Sequence, residues 1–532
     1  MMKLYSVPVF LFLLLSSTLT AVAQQNLLDL SFNGNGFTRT DFSLSHDQCN
    51  AMALQADGRI VLAGIANLSG QICGALARYL PDGRPDSSFG TAGRVTTTAG
   101  GTQTHFNAVA VLPTGKIIAV GEKNTGGSSS NYDILVVRYL SDGTVDSTFG
   151  ANGMFIQSFG SYYEYGNSLA LQPDGKILIG GTTNYYGSRE CPMVVRLTAN
   201  GAADASFGTG GLVFVYALDP GLGNSRGLAV ACGTDGKITL AGSANISSSI
   251  HYLLYRFNAD GSPDGAFHGD GRNIYDLGGG FESAVDLMLL PDNRPLVLGY
   301  DAGIPAMITV AQFGNDGMPD PGFAVPAGSV KKIRPEDLFA RKIVRHPAGD
   351  YLIAANIRDS MFGNFTAGVF AIGSLGNTDS AWAINGLFRS LIDTAATSTE
   401  ASSILVQPDG RILLAGTTVI GGKSDFFVAR LRPARLSVSD TKTVSLTCSV
   451  YPNPTTGSKL HMVYELKNGI GPVIIELLDA QGRMIVSKKA MAQGAGKHQD
   501  VFALPEGLAD GVYLLCISNG TQVARQRVVY KR

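Results

Sequence analysis

The chain has 532 residues, 45% hydrophobic and 16% charged, with 66 Gly, one Trp and a formal net charge of −1. That is the composition of a Gly-rich globular β protein. A near-neutral chain without a basic face makes no electrostatic case for nucleic acid, whose binding needs many phosphate-neutralising cations.

At the N-terminus, Lys3 precedes an apolar run from Val7 to Leu15, and Ala21-Val22-Ala23 stands before Gln24. This reads as a cleaved signal peptide over residues 1–23. The run is shorter than the ~20 apolar residues of a retained span, and no later segment is long enough to cross a bilayer. The mature chain is therefore expected to leave the cytoplasm as a soluble protein without a transmembrane segment.

From there a unit of the form RYLPDGRPDSSFGTAG (Arg78 to Gly93) recurs. The Asp of its D-x-S-F core, or of a drifted form of it, falls at Asp29, Asp86, Asp146, Asp204, Asp264, Asp320 and Asp379, at intervals of 56 to 60 residues. A second block recurs with it, at Asn50 to Gly64, Ala108 to Gly121, Ser168 to Gly181 and Ser403 to Gly416, where two apolar runs flank an Asp-Gly or Thr-Gly turn. These runs predict strands a and b of a hairpin. Strand c follows after a variable loop, as in Gly74 to Leu80, Tyr132 to Leu140 and Phe426 to Leu431, and strand d after the D-x-S-F connection, as in Arg94 to Thr98. Four short strands per period and seven copies predict an all-β fold, a seven-bladed β-propeller over residues 24–431, with a β-solenoid as the competing architecture.

The phase of the repeat predicts how the ring closes. No D-x-S-F unit follows the last strand c at Leu431, whereas the chain opens with one followed by Phe37 to Phe42. That N-terminal strand is expected to complete the blade that begins at Ser403, which removes two open sheet edges.

The repeated residues have structural readings first. The D-x-S-F Asp can cap the tight turn that follows it, and Phe89 and its equivalents can fill the wedge between blades. Asp82 and Asp86, in a D-G-x-x-D spacing, leave calcium open as a cofactor but lack the further carboxylates it would want. Arg78, Arg138, Arg196, Arg256 and Arg430 recur in strand c, where repeated carboxylates or carbonyls of a neighbouring blade are the expected partners, with a ring of binding arginines as the other reading. The fifth and sixth repeats depart: the Arg becomes Gln312 and Ala371, and Trp382 replaces the Phe. The local basic run Val330 to His346 lies in the same region and reads as a solvated loop and strand edge.

The six cysteines, Cys49, Cys73, Cys191, Cys232, Cys448 and Cys516, include no C-x-x-C pair and no metal-ligand spacing. Cys49 and Cys73 belong to one repeat, which leaves open either a disulfide between them in an oxidising compartment or buried free thiols.

After Leu431 the pattern stops. Residues 432–447 read as a linker, and residues 448–532, with alternating strands and Gly turns, as a small β-sandwich.

The Q-P-D-G-K-I-L-x-x-G block followed by A-R-Y-x-x-D-G-x-x-D-x-S-F-G resembles the delta-60 repeat family of bacterial β-propellers, which implies the fold and no shared catalytic residues. Y-P-N-P at Tyr451 to Pro454, the D-x-x-G-R hairpin at Asp479 to Arg483, G-V-Y-L-L at Gly511 to Leu515 and a basic terminal strand resemble the type A C-terminal sorting domain of the type IX secretion system of Bacteroidetes. That resemblance implies the type IX machinery as a partner through residues 448–532, and a protein secreted or attached to the outer-membrane surface after passing the periplasm. An immunoglobulin-like accessory domain is the alternative.

Zinc-binding, phosphate-binding and nucleophile-elbow motifs are absent from the sequence, so no catalytic residue is assigned. A binding or adhesion module for a glycan or protein ligand is expected, with a secreted polysaccharide-acting hydrolase or lyase as the alternative. Strand parity puts every b–c and d–a loop on one face, and two of these loops in the third repeat are rich in aromatics. Tyr162, Tyr163, Tyr165, Tyr185 and Tyr186, with Arg189 and Glu190, are the expected ligand-binding residues; packing of these tyrosines within their own loops is the competing reading.

Overall fold

A computed structural model describes residues 27–531 apart from 44–45, 127–130, 186–188, 219–221, 247–248, 279–280, 303–306, 325–329, 334–337, 359–363, 380–381, 384–385, 433–446, 467–470, 479–483, 494, 506 and 519–522. The proposed signal peptide and nearly all of the proposed linker lie outside the described residues. The chain divides into two compact units, with the boundary between residues 434 and 435.

In the first unit each repeat folds as an antiparallel four-stranded sheet in the order a-b-c-d. Five such sheets stand alone; the first and second repeats are joined into one eight-stranded sheet by a single parallel bridge between Ile72 and Gln103. Strands b are short apolar runs buried along most of their length, as in Ile60–Leu68 and Ile177–Thr183. The seam predicted from the phase of the repeat is present. Phe37–Thr40 lies antiparallel to strand c of the seventh repeat, pairing Phe37 with Ala429 and Thr40 with Phe426.

Strand a is irregular at one equivalent point in all seven repeats. The register shifts by one residue at Asn50, Asn107, Asn167, Leu228, Val285, Arg341 and Ser402. A bulge turns its extra residue out of the ladder and frees neighbouring backbone groups. The three asparagines turn that to use: Asn50, Asn107 and Asn167 donate through Nδ2 to the carbonyls of Phe106, Gly166 and Gly227 on the next repeat, at 2.9, 3.1 and 2.8 Å. Thr182 Oγ1 accepts from the Gly227 amide at 3.2 Å, so both backbone groups of Gly227 are satisfied by side chains of the preceding repeat. Strands a touch one another in the cyclic order of the repeats, and the seventh touches the first.

In five of the repeats the opposite end of the sheet is held by one recurring constellation. Arg78 Nε donates to Asp86 Oδ2 at 2.8 Å, its Nη1 reaches the carbonyl of Ser141 in the next repeat, and its guanidinium lies 4.5 Å from the Phe89 ring centre. The same constellation occurs at Arg138 with Asp146 and Phe149, Arg196 with Asp204 and Phe207, Arg256 with Asp264 and Phe267, and Arg430 with Asp29 and Phe32. The arginines therefore take structural partners, a carboxylate and, where the contact is seen, a carbonyl of the neighbouring repeat. Each Phe packs over the glycine turn of the next repeat, at Gly83, Gly143, Gly201, Gly261 and Gly317. Gly83 shows why that turn needs glycine: its φ is +89°, and a Cβ there would come within 2.6 Å of the Phe32 ring.

Two readings that the sequence left open meet the geometry here. Cys49 and Cys73 are free thiols on strands a and c, with strand b between them: Cys49 pairs with Gly64 and Cys73 with Ala66. Strands two apart in a sheet are separated by ~9.5 Å, beyond the reach of a disulfide. Calcium at the D-G-x-x-D spacing also fails, because Asp82 is spent on Arg84 at 2.8 Å and Asp86 on Arg78 and Arg59.

The second unit is a two-layer β-sandwich. One sheet is formed by Thr447–Tyr451, Lys459–Leu466 and Gly496–Ala503, the other by Met484–Gln493, Gly471–Leu478, Gly511–Ser518 and Val523–Tyr530. Leu460, Met462, Tyr464, Ile475, Leu477, Leu515 and Val528 fill the space between them. The Y-P-N-P segment pins the last strand: Asn453 Oδ1 accepts from the Val529 amide and the Thr455 amide donates to the Val529 carbonyl, both at 2.8 Å.

Candidate ligand-binding face

Antiparallel a-b-c-d order brings the b–c and d–a loops together on one face of each sheet. On the third repeat the d–a loop, Ser158 to Tyr163, and the b–c loop starting at Asn184 lock onto each other. The Tyr163 amide donates to Asn184 Oδ1 at 2.8 Å, and the Asn184 amide to the Tyr163 carbonyl at 3.3 Å. Tyr185 then meets Phe159, Tyr162 and Phe214, with ring centres 4.9, 5.4 and 6.0 Å away. A second row runs from His105 through Tyr132 and Tyr165 to Tyr163, at 5.9, 5.6 and 5.0 Å. Ring contacts at these spacings are favourable beyond simple burial. The tyrosines thus pack with their own loops, yet Tyr185 keeps 41% of its surface exposed and Tyr162, Tyr163 and Tyr165 are half-buried.

Polar pins orient the rows. Tyr163 donates its hydroxyl to Glu190 Oε1 at 3.2 Å, and Arg226 of the fourth repeat closes on the same carboxylate at 2.8 Å. Burial, followed by the Glu190 charge and its hydrogen bond, pushes the Tyr163 hydroxyl up to about 12, so it stays a donor across the physiological range. Tyr132 donates to Gln103 Oε1 at 2.9 Å, and His105 Nδ1 lies 3.1 Å from Glu122 Oε1.

Beneath the tyrosine loop lies Glu164, which is fully buried; it accepts from the Phe159 amide at 3.2 Å and from Thr183 Oγ1 at 3.3 Å. Burial raises its carboxyl to about 8, and the nearby charge of Asp133 adds to the shift. Asp47 is its counterpart in the first repeat, accepting from the Phe42 amide at 2.8 Å and raised to about 6, mainly by burial. The role is the same in both places: a buried carboxyl fastens the d–a loop. Full burial removes Glu164 from contact with a substrate.

Toward the ring axis, residues of six strands a, Asn50, Asn167, Leu228, Val285, Arg341 and Ser402, line one cavity of about 540 Å³. Its wall is mostly polar, and Arg341 and Glu400 face each other across it at 3.7 Å.

Of the residues expected from sequence, Tyr162, Tyr163, Tyr165, Tyr185 and Glu190 are brought together. Arg189 is exposed beside them, and Tyr186 lies outside the described residues. Sequence reasoning missed Phe159, Tyr132, Phe214, His105 and Arg226. Phe159 was adjacent to the aromatic loop and could have been found. Arg226 and Tyr132 belong to the neighbouring repeats and join the group only through the packing of one sheet against the next.

The match to known families follows the same organisation. The model described as a domain of unknown function (DUF5122) beta-propeller matches residues 55–89, 112–149, 172–207, 233–267 and 407–434. The secretion system C-terminal sorting domain model matches residues 449–531. No curated protein matches the chain. Among solved structures, Sqt1 from Chaetomium thermophilum is 12% identical over 75% of this chain and 100% of its own, with a TM-score of 0.37. The β-propeller domain of the Trilobed protease from Pyrococcus furiosus is 9% identical over 78% and 92%, with a TM-score of 0.31. Endo-arabinase from Bacteroides thetaiotaomicron is 9% identical over 50% and 92%, with a TM-score of 0.29. Among the described residues no helix is long and apolar enough to cross a membrane. The chain is a β-propeller protein, five segments of which match the DUF5122 model, and it carries a type IX C-terminal sorting domain, which implies contact with that secretion machinery and export to the medium or the cell surface.

Proposed function

We propose that the propeller, a closed ring of seven blades over residues 24–431, is a binding or adhesion module for a glycan or protein ligand. It is delivered by a signal peptide at residues 1–23 and the sorting domain at residues 448–532, joined through a linker at 432–447. The observation that carries this reading is the aromatic group on the loop face of the third blade. Its rings are held by hydrogen bonds and by one another, and part of their surface still faces solvent. Rigid aromatic surface with hydroxyl tips binds sugars and protein segments at low entropic cost. Glu164, the buried carboxyl nearest to it, serves the loop.

The test is a glycan array and a surface-protein overlay with the purified full chain, followed by mass spectrometry of the ligand. Retention of an unchanged ligand is expected, with the double variant Tyr162→Ala, Tyr163→Ala losing about tenfold or more in affinity while keeping its circular dichroism. Unaltered affinity in the double variant would remove this patch from consideration. New reducing ends or unsaturated sugar products would replace the binding module with a hydrolase or lyase.

A further inference from the structure

A second group on the loop face stands apart from the tyrosines, where the fourth repeat meets the fifth. His251 comes from strand c of the fourth repeat, Ser249–Phe257; Asp276 follows its strand d; and Glu282 opens strand a of the fifth, Glu282–Leu289. His251 Nδ1 lies 3.2 Å from Glu282 Oε2 and 3.6 Å from Asp276 Oδ1. Glu282 is fully buried, His251 is largely buried, and Asp276 is open to solvent at 63% of its side chain.

Two distances mark this group. Both His-to-carboxylate distances exceed the ~2.7–2.9 Å of a charge-assisted N–H···O bond. They bracket the edge of about 3.3–3.4 Å that a tetrahedron with metal–ligand bonds of ~2.0–2.1 Å would have.

The repeat supplies an internal comparison. At the same three positions of another seam, the one closed by the N-terminal strand, stand Asp425, Asp41 and Asp47, which also bring their ligand atoms within 4.8 Å of one another. In the seam between the first and second repeats two of the positions hold Cys73 and Thr104. Only the fourth-to-fifth seam, among the described residues, combines an imidazole with two carboxylates in this arrangement.

We propose that His251, Asp276 and Glu282 form a site for a divalent first-row metal ion, with Zn²⁺ as the best fit to one nitrogen and two oxygen ligands. Three protein ligands leave a fourth position open on the exposed side, next to Asp276.

The full-length chain, stripped with EDTA, is titrated with Zn²⁺ by calorimetry and with Co²⁺ by visible absorption, using Ca²⁺ as the comparison ion. The expected result is a Zn²⁺ equivalent and the absorption of four-coordinate Co²⁺ that are both lost in His251→Ala. Asp276→Asn alters an exposed side chain and keeps the fold; it should weaken Zn²⁺ binding about tenfold or more. Absence of Zn²⁺ binding, binding undiminished in both variants, or a site that prefers Ca²⁺ and ignores His251→Ala would overturn the assignment.

Discussion

The regular repeats and the two drifted ones hold the same turn by different means. In the first repeat the Arg78 amide donates to the Gly93 carbonyl, the Asp86 amide to the Arg78 carbonyl, the Phe89 amide to the Asp86 carbonyl and the Gly93 amide to the Phe89 carbonyl, with N···O distances of 2.8 to 3.0 Å. The sixth repeat keeps that backbone pattern through Ala371, Asp379, Trp382 and Gly386 at 2.8 to 3.2 Å, although the Arg is gone and the Phe is now Trp. The fifth replaces Arg with Gln312, which donates to Asp320 at 2.6 Å beside Arg294, also at 2.6 Å. Its seam with the sixth is fastened by Asp286, which accepts from Lys342 at 2.8 Å and from the Ile343 amide at 2.9 Å, where the first three repeats use bulge asparagines. Backbone hydrogen bonds therefore define the turn, and the buried ion pair is one of several ways to tie it to its neighbour. The basic run at 330–346, read from sequence as solvated, supplies part of that tie. The family match also leaves residues 268–406 uncovered, the region in which the side chains have drifted.

The largest effect should come from breaking the regular network that joins the two ends of the unit. Deleting residues 27–42 removes the strand paired with Phe426 to Ala429 and strips Arg430 of Asp29. Loss of the single cooperative unfolding transition, followed by circular dichroism, is expected; an unchanged transition would mean that the ring does not depend on this seam.

Next in size is the contrast between a regular and a drifted tie. Arg138→Ala leaves the buried Asp146 carboxylate with only Lys116 as a cation and should cost about 3–5 kcal/mol in urea unfolding. Gln312→Ala leaves Arg294 on Asp320 and should cost about 1 kcal/mol. Equal costs would erase the distinction between the two kinds of repeat.

The smallest effect is in the pH dependence, where two carboxyls should shift stability in opposite directions. Burial opposes ionisation of Asp146, but Lys116, Thr148 and Arg138 outweigh it and hold the carboxyl well below its usual range. Its contribution is fully present above the unfolded value of ~3.9 and is lost as pH falls toward the folded one. The deficit of Asp146→Asn against the native chain should therefore shrink on acidification. Glu164, raised to about 8, keeps its proton while the unfolded chain gives one up above ~4.3, so it costs stability as pH rises between those values. Glu164→Gln should gain on the native chain over that window, and a constant difference from pH 4 to 8 would show that Glu164 is ionised in the folded state.

How much was legible in the sequence differs from one feature to the next. The seam was readable because a missing strand d at one end and a surplus one at the other is a matter of counting. The roles of Arg78 and Phe89 were readable because the same residue types returned at the same place. The tyrosine loops stood out by composition, whereas Arg226 and Tyr132 had no local signal that they would close on them. His251, Asp276 and Glu282 stand in no metal-ligand spacing and meet because strand c of one repeat abuts strand a of the next.

By itself the sequence determined the β architecture, the strand exchange that closes the first unit, the sandwich and its sorting motifs. These depend on periodicity, on turn residues and on motifs contiguous in the chain. Only the tertiary structure decided which thiols stay apart, which carboxylates are spent on arginines, and which side chains converge at a seam. Those outcomes depend on distances between strands of different sheets, and the sequence carries no local trace of them.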